Sequence, residues 1–134
     1  MNKPIVVLDT NIFISAVFWE GKSYEIVKKA INQEIIVFIS DHIIKEIEKV
    51  LTRDFNLAEQ EIDDVVSAIF YFTHLIKPVE KVKIIKEDPK DDEVLDCALA
   101  CNAKFIISQD KHLLNLKKFM NINMVSPEEF LKTC

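Results

Sequence analysis

Apolar residues recur along the chain in two rhythms. Five short runs, residues 5–8, 35–39, 82–85, 105–107 and 122–125, are nearly unbroken and rich in Val and Ile. Runs of this kind are expected of strands covered on both faces. Between them the apolar positions return every three or four residues, which predicts helices at 23–32, 41–53, 58–75, 91–101 and 110–117, with a short last helix from Pro127. Capping chemistry marks several starts: Ser40 or Asp41 before one helix, Asp110 before another, and Ser126-Pro127-Glu128-Glu129 before the last. Strands alternating with helices imply an α/β fold, a three-layer arrangement around a mostly parallel five-stranded sheet with helices on both faces.

Composition narrows the class. The 134 residues are 49% hydrophobic and 29% charged, with one Gly and four Pro, which suits one folded unit over residues 1–134 and leaves no linker or low-complexity tract. No stretch approaches the ~18 apolar residues of a membrane span, and the opening residues lack the pattern of a signal peptide, so a cytoplasmic protein with no membrane attachment is expected. Three cysteines, two of them one helical turn apart, do not form a disulfide framework. A net charge of −5 opposes nucleic-acid binding unless several carboxylates are neutralised by cations.

The placement of those carboxylates is the informative feature. In open parallel sheets, ligands bind beyond the carboxyl ends of the strands. Asp9 ends the first run, where burial is costly for an ionised side chain unless it is paired or binds a cation. Asp110 follows the fourth run, and Asp92 opens the helix that feeds it, so a helix going down and a strand returning bring both to one end beside Asp9. The helix after the second run starts at the same end, with Glu46 and Glu48 at opposite borders of its apolar stripe. Asp92 and Asp96 share a helix face and repel, and Asp88 and Asp91 add to the crowding. Such a cluster calls for raised pKa values or for a hard, oxygen-preferring cation, Mg²⁺ or Mn²⁺, and the cation is the simpler answer.

Taken in order, "VVLDTNIFISAVF", "SDHIIKEIEKVL" and "DPKDDEVLDCALACNAKFIISQD" resemble the PIN-domain nucleases over nearly the whole length, and within them the prokaryotic toxins of toxin–antitoxin systems. The resemblance implies that Asp9, Glu46, Asp92 and Asp110 are the catalytic acids, with Asp9, Asp92 and Asp110 as metal ligands. Ser108 and Asn11 match supporting polar positions, and Asp96 is an outer candidate. Lys90 stands where relatives often carry a third consecutive acid, which leaves Asp91 and Asp92 as alternatives for the metal-facing residue. The resemblance further implies hydrolysis of RNA phosphodiesters by a Mg²⁺- or Mn²⁺-dependent endoribonuclease, a cognate antitoxin protein as partner, and a homodimer.

Other chemistries fit less well. A phosphatase using Asp9 as nucleophile wants a second Asp two residues on, where this chain has Asn11. A receiver domain wants paired acids at its first strand end and a late Lys. A catalytically silent scaffold with the same fold is the main rival, because activity depends on geometry as well as on residue identity. His42, His74 and His112 lack ligand spacing, and Cys97 with Cys101 reads as core packing rather than as half of a zinc site. The string Phe70-Tyr71-Phe72 reads as core or dimer surface rather than as a stacking platform for bases. Two basic sets, Lys45-Lys49-Arg53 and Lys111-Lys117-Lys118, are candidates to line an RNA groove.

Overall fold

In the first strand, Val6, Val7 and Leu8 are all fully buried. Successive strand residues point to opposite faces, so a run buried at every position must be covered on both sides. This strand, β1 (Ile5–Leu8), lies inside a six-stranded sheet. The computed structural model describes residues 3–78 and 89–133. In chain order, β1 is followed by α1 (Thr10–Phe18), α2 (Lys22–Ile31), β2 (Ile36–Ile39), α3 (Asp41–Arg53), α4 (Glu59–Phe72) and β3 (Thr73–Leu75). Then come α5 (Pro89–Ala100), β4 (Phe105–Ile107), α6 (Lys111–Leu114), β5 (Lys118–Phe119), β6 (Ile122–Val125) and α7 (Pro127–Thr133).

The strand order is β3-β2-β1-β4-β6-β5, and every pairing is parallel except that of β5 with β6. The α/β class and mostly parallel sheet match the expectation, with one more strand than the five predicted. One strand outside the predicted runs is β5, two residues long and paired antiparallel through Lys118 with Asn123 and Phe119 with Ile122. A two-residue strand is too short for a hydrophobic period to register. Strand β3 is the other strand outside the predicted runs. The apolar period predicts a helix over 58–75, but α4 stops at Phe72 and the next three residues pair with β2. Thr73 ends the helix in an extended conformation while its hydroxyl donates to the Ile69 carbonyl at 2.9 Å. The strand predicted at 82–85 lies outside the described residues.

Helix α1 was not predicted. Its nine residues, TNIFISAVF, are apolar on nearly every side, so they carry no amphipathic period, and the burial of Ile12, Phe13 and Ile14 in succession explains why. Helices α2 and α5 fall close to their predicted spans and α3 matches to the residue, whereas α6 ends at Leu114, short of the predicted 117. Among the described residues, no helix is long and apolar enough to cross a membrane.

With one glycine in the chain, the left-handed positions that end helices are filled by other residues. Gln33 (φ 61°) and Asn102 (φ 57°) close α2 and α5 with paired reverse bonds, Glu34 N to Lys29 O at 2.9 Å and Ala103 N to Ala98 O at 2.9 Å being the outer ones.

Candidate metal and nuclease site

All four predicted acids fall on the elements that meet the carboxyl end of the sheet. Asp9 leaves β1 and caps α1, Glu46 lies in the second turn of α3 after β2, Asp92 lies in the first turn of α5, and Asp110 caps α6 after β4. Helix α5 precedes a strand parallel to β1 and so begins at the end where that strand finishes. Its first turn therefore lies at the level of the starts of α1, α3 and α6.

The centre of this end is a hydrogen-bonded chain. Asp9 is 6% exposed, and its backbone N–H extends the ladder to Ile107 O at 3.0 Å. Its Oδ1 accepts from Thr10 N at 2.8 Å, and its Oδ2 accepts from Ser108 Oγ at 2.7 Å. Fully buried Ser108 in turn accepts from Asp110 N at 2.9 Å. The carboxylate of Asp110 accepts from His112 N at 2.8 Å as the cap of α6. Burial of Asp9 is thus offset by two donors and by the positive end of α1, a compensation the sequence reading did not include. Ser108 is the hinge of the chain, donating to one acid and accepting from the backbone of the other.

A second relationship separates Glu46 from Glu48. His42 lies four residues before Glu46, on the same strip of α3. Its Nδ1 is 3.6 Å from Oε1 of Glu93, the neighbour of Asp92 at the start of α5. The strip bearing Glu46 therefore borders α5, whereas Glu48 lies at the opposite edge of the buried stripe. Glu46, Asp92 and Asp96 are half-buried, and Asp110 is partly so. Asp91 falls in the first turn of α5, with its side chain outside the described part, as is Asp88. Asn11 is exposed on α1, and the Asp9 carboxylate is oriented by Thr10 and Ser108.

The donors at this end are carboxylate oxygens, which suit a hard divalent cation. A carboxylate offers about four lone-pair directions, so Asp9 retains acceptor capacity beyond its two bonds. Among the described residues, no group of three His, Cys, Asp or Glu side chains stands close enough to hold an ion. This composition fits a Mg²⁺-type ion, which is commonly held by one or two carboxylates and completes its shell with water and substrate oxygens.

The remaining chemistry-bearing residues fall elsewhere. Cys97 and Cys101 are buried, and burial pushes their thiols up to about 12 and about 11. His112 is exposed on α6, while His74 lies on β3 with its ring against Phe38. Phe70 and Tyr71 are exposed, whereas Phe72 packs toward Phe13. The predicted basic sets divide: Arg53 is bound to Asp54 through two hydrogen bonds of 2.8 and 3.1 Å, Lys111 stands exposed beside Asp110, and Lys117 and Lys118 belong to the β5 hairpin.

Comparison with known proteins bears on the same framework. A search of curated protein sequences found no match. Among solved structures, a chain of VapBC2 from Rickettsia felis, crystallised with a DNA fragment from its promoter, superposes with a TM-score of 0.67 at 14% identity, covering 91% of this chain and 98% of that one. The PIN domain of T. brucei RRP44 superposes with a TM-score of 0.53, also at 14% identity, covering 99% and 82%. At that identity both similarities speak to the fold. The sequence profile of the PIN domain matches residues 5–112, a span that runs from β1 into α6 and takes in all four acids, and on this ground the chain belongs to the PIN-domain family.

Proposed function

We propose that this protein is a Mg²⁺- or Mn²⁺-dependent endoribonuclease and the toxin of a toxin–antitoxin pair. The observation that carries the reading is the bonded chain from Asp9 through Ser108 to Asp110, across the ends of adjacent central strands. Family membership and a fold similar to a VapBC2 chain support it. In this reading Asp9, Asp92 and Asp110 are the metal-facing acids, Asp9 as the direct anchor and the others reaching the cation in part through its waters, and Glu46 orients the attacking water and accepts its proton. Ser108 keeps Asp9 aimed, and Asp96 and Asn11 act from the periphery. When bound, a divalent ion offsets the acids' repulsion of phosphate, lowers the pKa of a water and stabilises charge on the leaving oxygen. Lys111, exposed and next to Asp110, is a basic residue among those described that is placed to meet a neighbouring RNA phosphate.

The partner side of the proposal draws on an apolar groove of about 680 Å³ between α1, α2 and α4. Val17, Ile31 and Tyr71 line it and are exposed, leaving apolar surface of the kind that partners cover. An antitoxin segment and a second copy of the chain are the two occupants that this reading expects in the cell.

One observation favours a second reading, that of a silent PIN-fold binding protein: both Asp9 oxygens already have donors. Cleavage of a panel of structured and single-stranded RNAs separates the two. Turnover that requires Mn²⁺ or Mg²⁺, stops with chelator and is lost in Asp9→Asn supports the nuclease. Tight partner binding with no turnover under any ion supports the silent protein.

A further inference from the structure

Two helices lead away from the acids. Asp9 caps α1 and Ser40 caps α3, so both begin at the carboxyl end of the sheet, and both end where Phe18, Trp19 and Phe55 meet. The rings of Phe18 and Phe55 stack 4.2 Å apart with 9° between their planes. Trp19 stands edge-on to the pair, its centroid 5.8 Å from that of Phe18 and 6.4 Å from that of Phe55. Its backbone is held as the C-cap of α1, where Trp19 N donates to Ser15 O at 2.9 Å. Trp19, the one tryptophan of the chain, is nevertheless 58% exposed.

Core packing does not account for this corner. A tryptophan serving the core would bury its rings, whereas this one is braced by two phenylalanines and keeps most of its surface in water, as aromatic residues do where a partner covers them. Charge indicates which partner. At 1.5 Å per residue, α3 covers about 10 Å from Glu46 to Arg53. Lys45 and Lys49, both exposed and one turn apart, lie on its solvent side, from beside Glu46 toward the corner. Arg53 is paired with Asp54 at 2.8 Å, which neutralises the acid next to Phe55, and Glu20 and Lys22, which follow Trp19, cancel in formal charge. An aromatic ring reached along a row of cations suits a single-stranded polynucleotide, whose phosphates meet the lysines while a base stacks on the ring.

We propose that Trp19 is a stacking platform for one base of a single-stranded RNA whose phosphates run along Lys49 and Lys45 toward the acids. The inference rests on the nuclease reading and deepens it, naming unpaired RNA as the form bound. Phe18 and Phe55 hold the indole in place for the base. Every base has a π-face, so the platform selects for an unpaired base and not for a sequence.

Because the chain has one tryptophan, its indole fluorescence reports on this position alone. Oligoadenylate is titrated into the full chain with Ca²⁺ present to offset the acids, and the titration is repeated with a ribose-phosphate oligomer that lacks bases. Oligoadenylate is expected to quench the parent saturably, and the baseless oligomer is not. By fluorescence anisotropy of a dye on each oligomer, Trp19→Ala should bind oligoadenylate about tenfold more weakly than the parent, with Trp19→Phe in between. Its affinity for the baseless oligomer should be unchanged, which also shows that the variant folds. Lys49→Ala should weaken both oligomers alike and lessen their sensitivity to salt. Equal binding of oligoadenylate by the parent and Trp19→Ala, with indole emission unaltered, overturns the platform, leaves the nuclease reading intact and points to a protein as the partner of the corner. Failure of the parent to bind oligoadenylate also overturns the platform, and RNA cleavage by the parent then decides the nuclease reading separately. Quenching in a chain that cleaves no RNA under any ion keeps the platform and removes the nuclease.

Discussion

Ser108 Oγ donates to Asp9 Oδ2 at 2.7 Å across 99 residues of sequence, while the same oxygen accepts from the backbone of Asp110. One buried hydroxyl thereby orients one acid and fixes the chain position of another. Hydrogen bonds to charged groups contribute about 1.5–3 kcal/mol each. Ser108→Ala should therefore destabilise the protein by about that amount, measured by urea unfolding. In a double-mutant cycle with Asp9→Asn, the two sites should couple by at least about 1 kcal/mol, and simple additivity would sever the proposed link.

Glu46 and Glu48 are both half-buried on α3, but only Glu46 shares a strip with His42, which reaches α5. Glu46→Gln should lower kcat by on the order of a hundredfold with little change in KM, as expected for a group acting on the reacting water. Glu48→Gln should leave the rate within about twofold of the parent. Equal losses in the two variants would return the choice between them to chance.

Much of this arrangement can be read from the sequence, and the exceptions have identifiable causes. Strands β1, β4 and β6 match their predicted bounds because continuous apolar runs end sharply in polar residues, Asp9 and Ser108 among them. Helix α3 matches because its apolar stripe is clean and Ser40 caps it. Helix α1 escapes because a helix buried on most sides has no polar face to set a period. The acids are visible as residues that follow strands, yet the device that makes Asp9 tolerable, the hydroxyl of Ser108, is a non-local partner that no local pattern announces. Likewise, Cys97 reads as core from its apolar neighbours, and the structure buries it fully on α5.

The left-handed C-caps lead to a stability prediction. Gln33 sits at φ 61°, a conformation that costs a residue with a side chain about 1–2 kcal/mol and costs glycine little. Gln33→Gly should raise stability by about 0.5–1 kcal/mol once the added freedom of the unfolded chain is subtracted. Asn102→Gly should change it less, because Asn tolerates this region. Urea midpoints of the two variants decide the matter, and a destabilised Gln33→Gly would show that its side chain contributes more than its backbone costs.

Cys97 supplies a pH dependence. Its thiol pKa is pushed from the ordinary 9.0 up to about 12, chiefly by burial and next by the neighbouring Cys101. The folded state therefore keeps a proton that the unfolded chain releases above pH 9, and this contribution to stability is complete below that pH and is lost as pH rises toward 12. Between pH 8.5 and 11 the parent should lose stability more steeply than Cys97→Ala. Peptide mapping after iodoacetamide treatment at pH 8 should find Cys97 and Cys101 protected until urea is added. Parallel stability curves, or rapid alkylation of the native chain, would contradict this.

The central claim is that Asp9, although already supplied with donors, is the principal anchor of a divalent cation. Asp9→Asn isolates that claim, because Asn is an equally good N-cap for α1 and still accepts from Thr10 N, so the fold is retained while the anionic charge is removed. Titration of Mn²⁺ into the parent and into Asp9→Asn, with folding checked by circular dichroism, should give saturable binding in the parent and at least a tenfold weaker affinity in the variant. Equal affinity in two folded proteins would contradict the account.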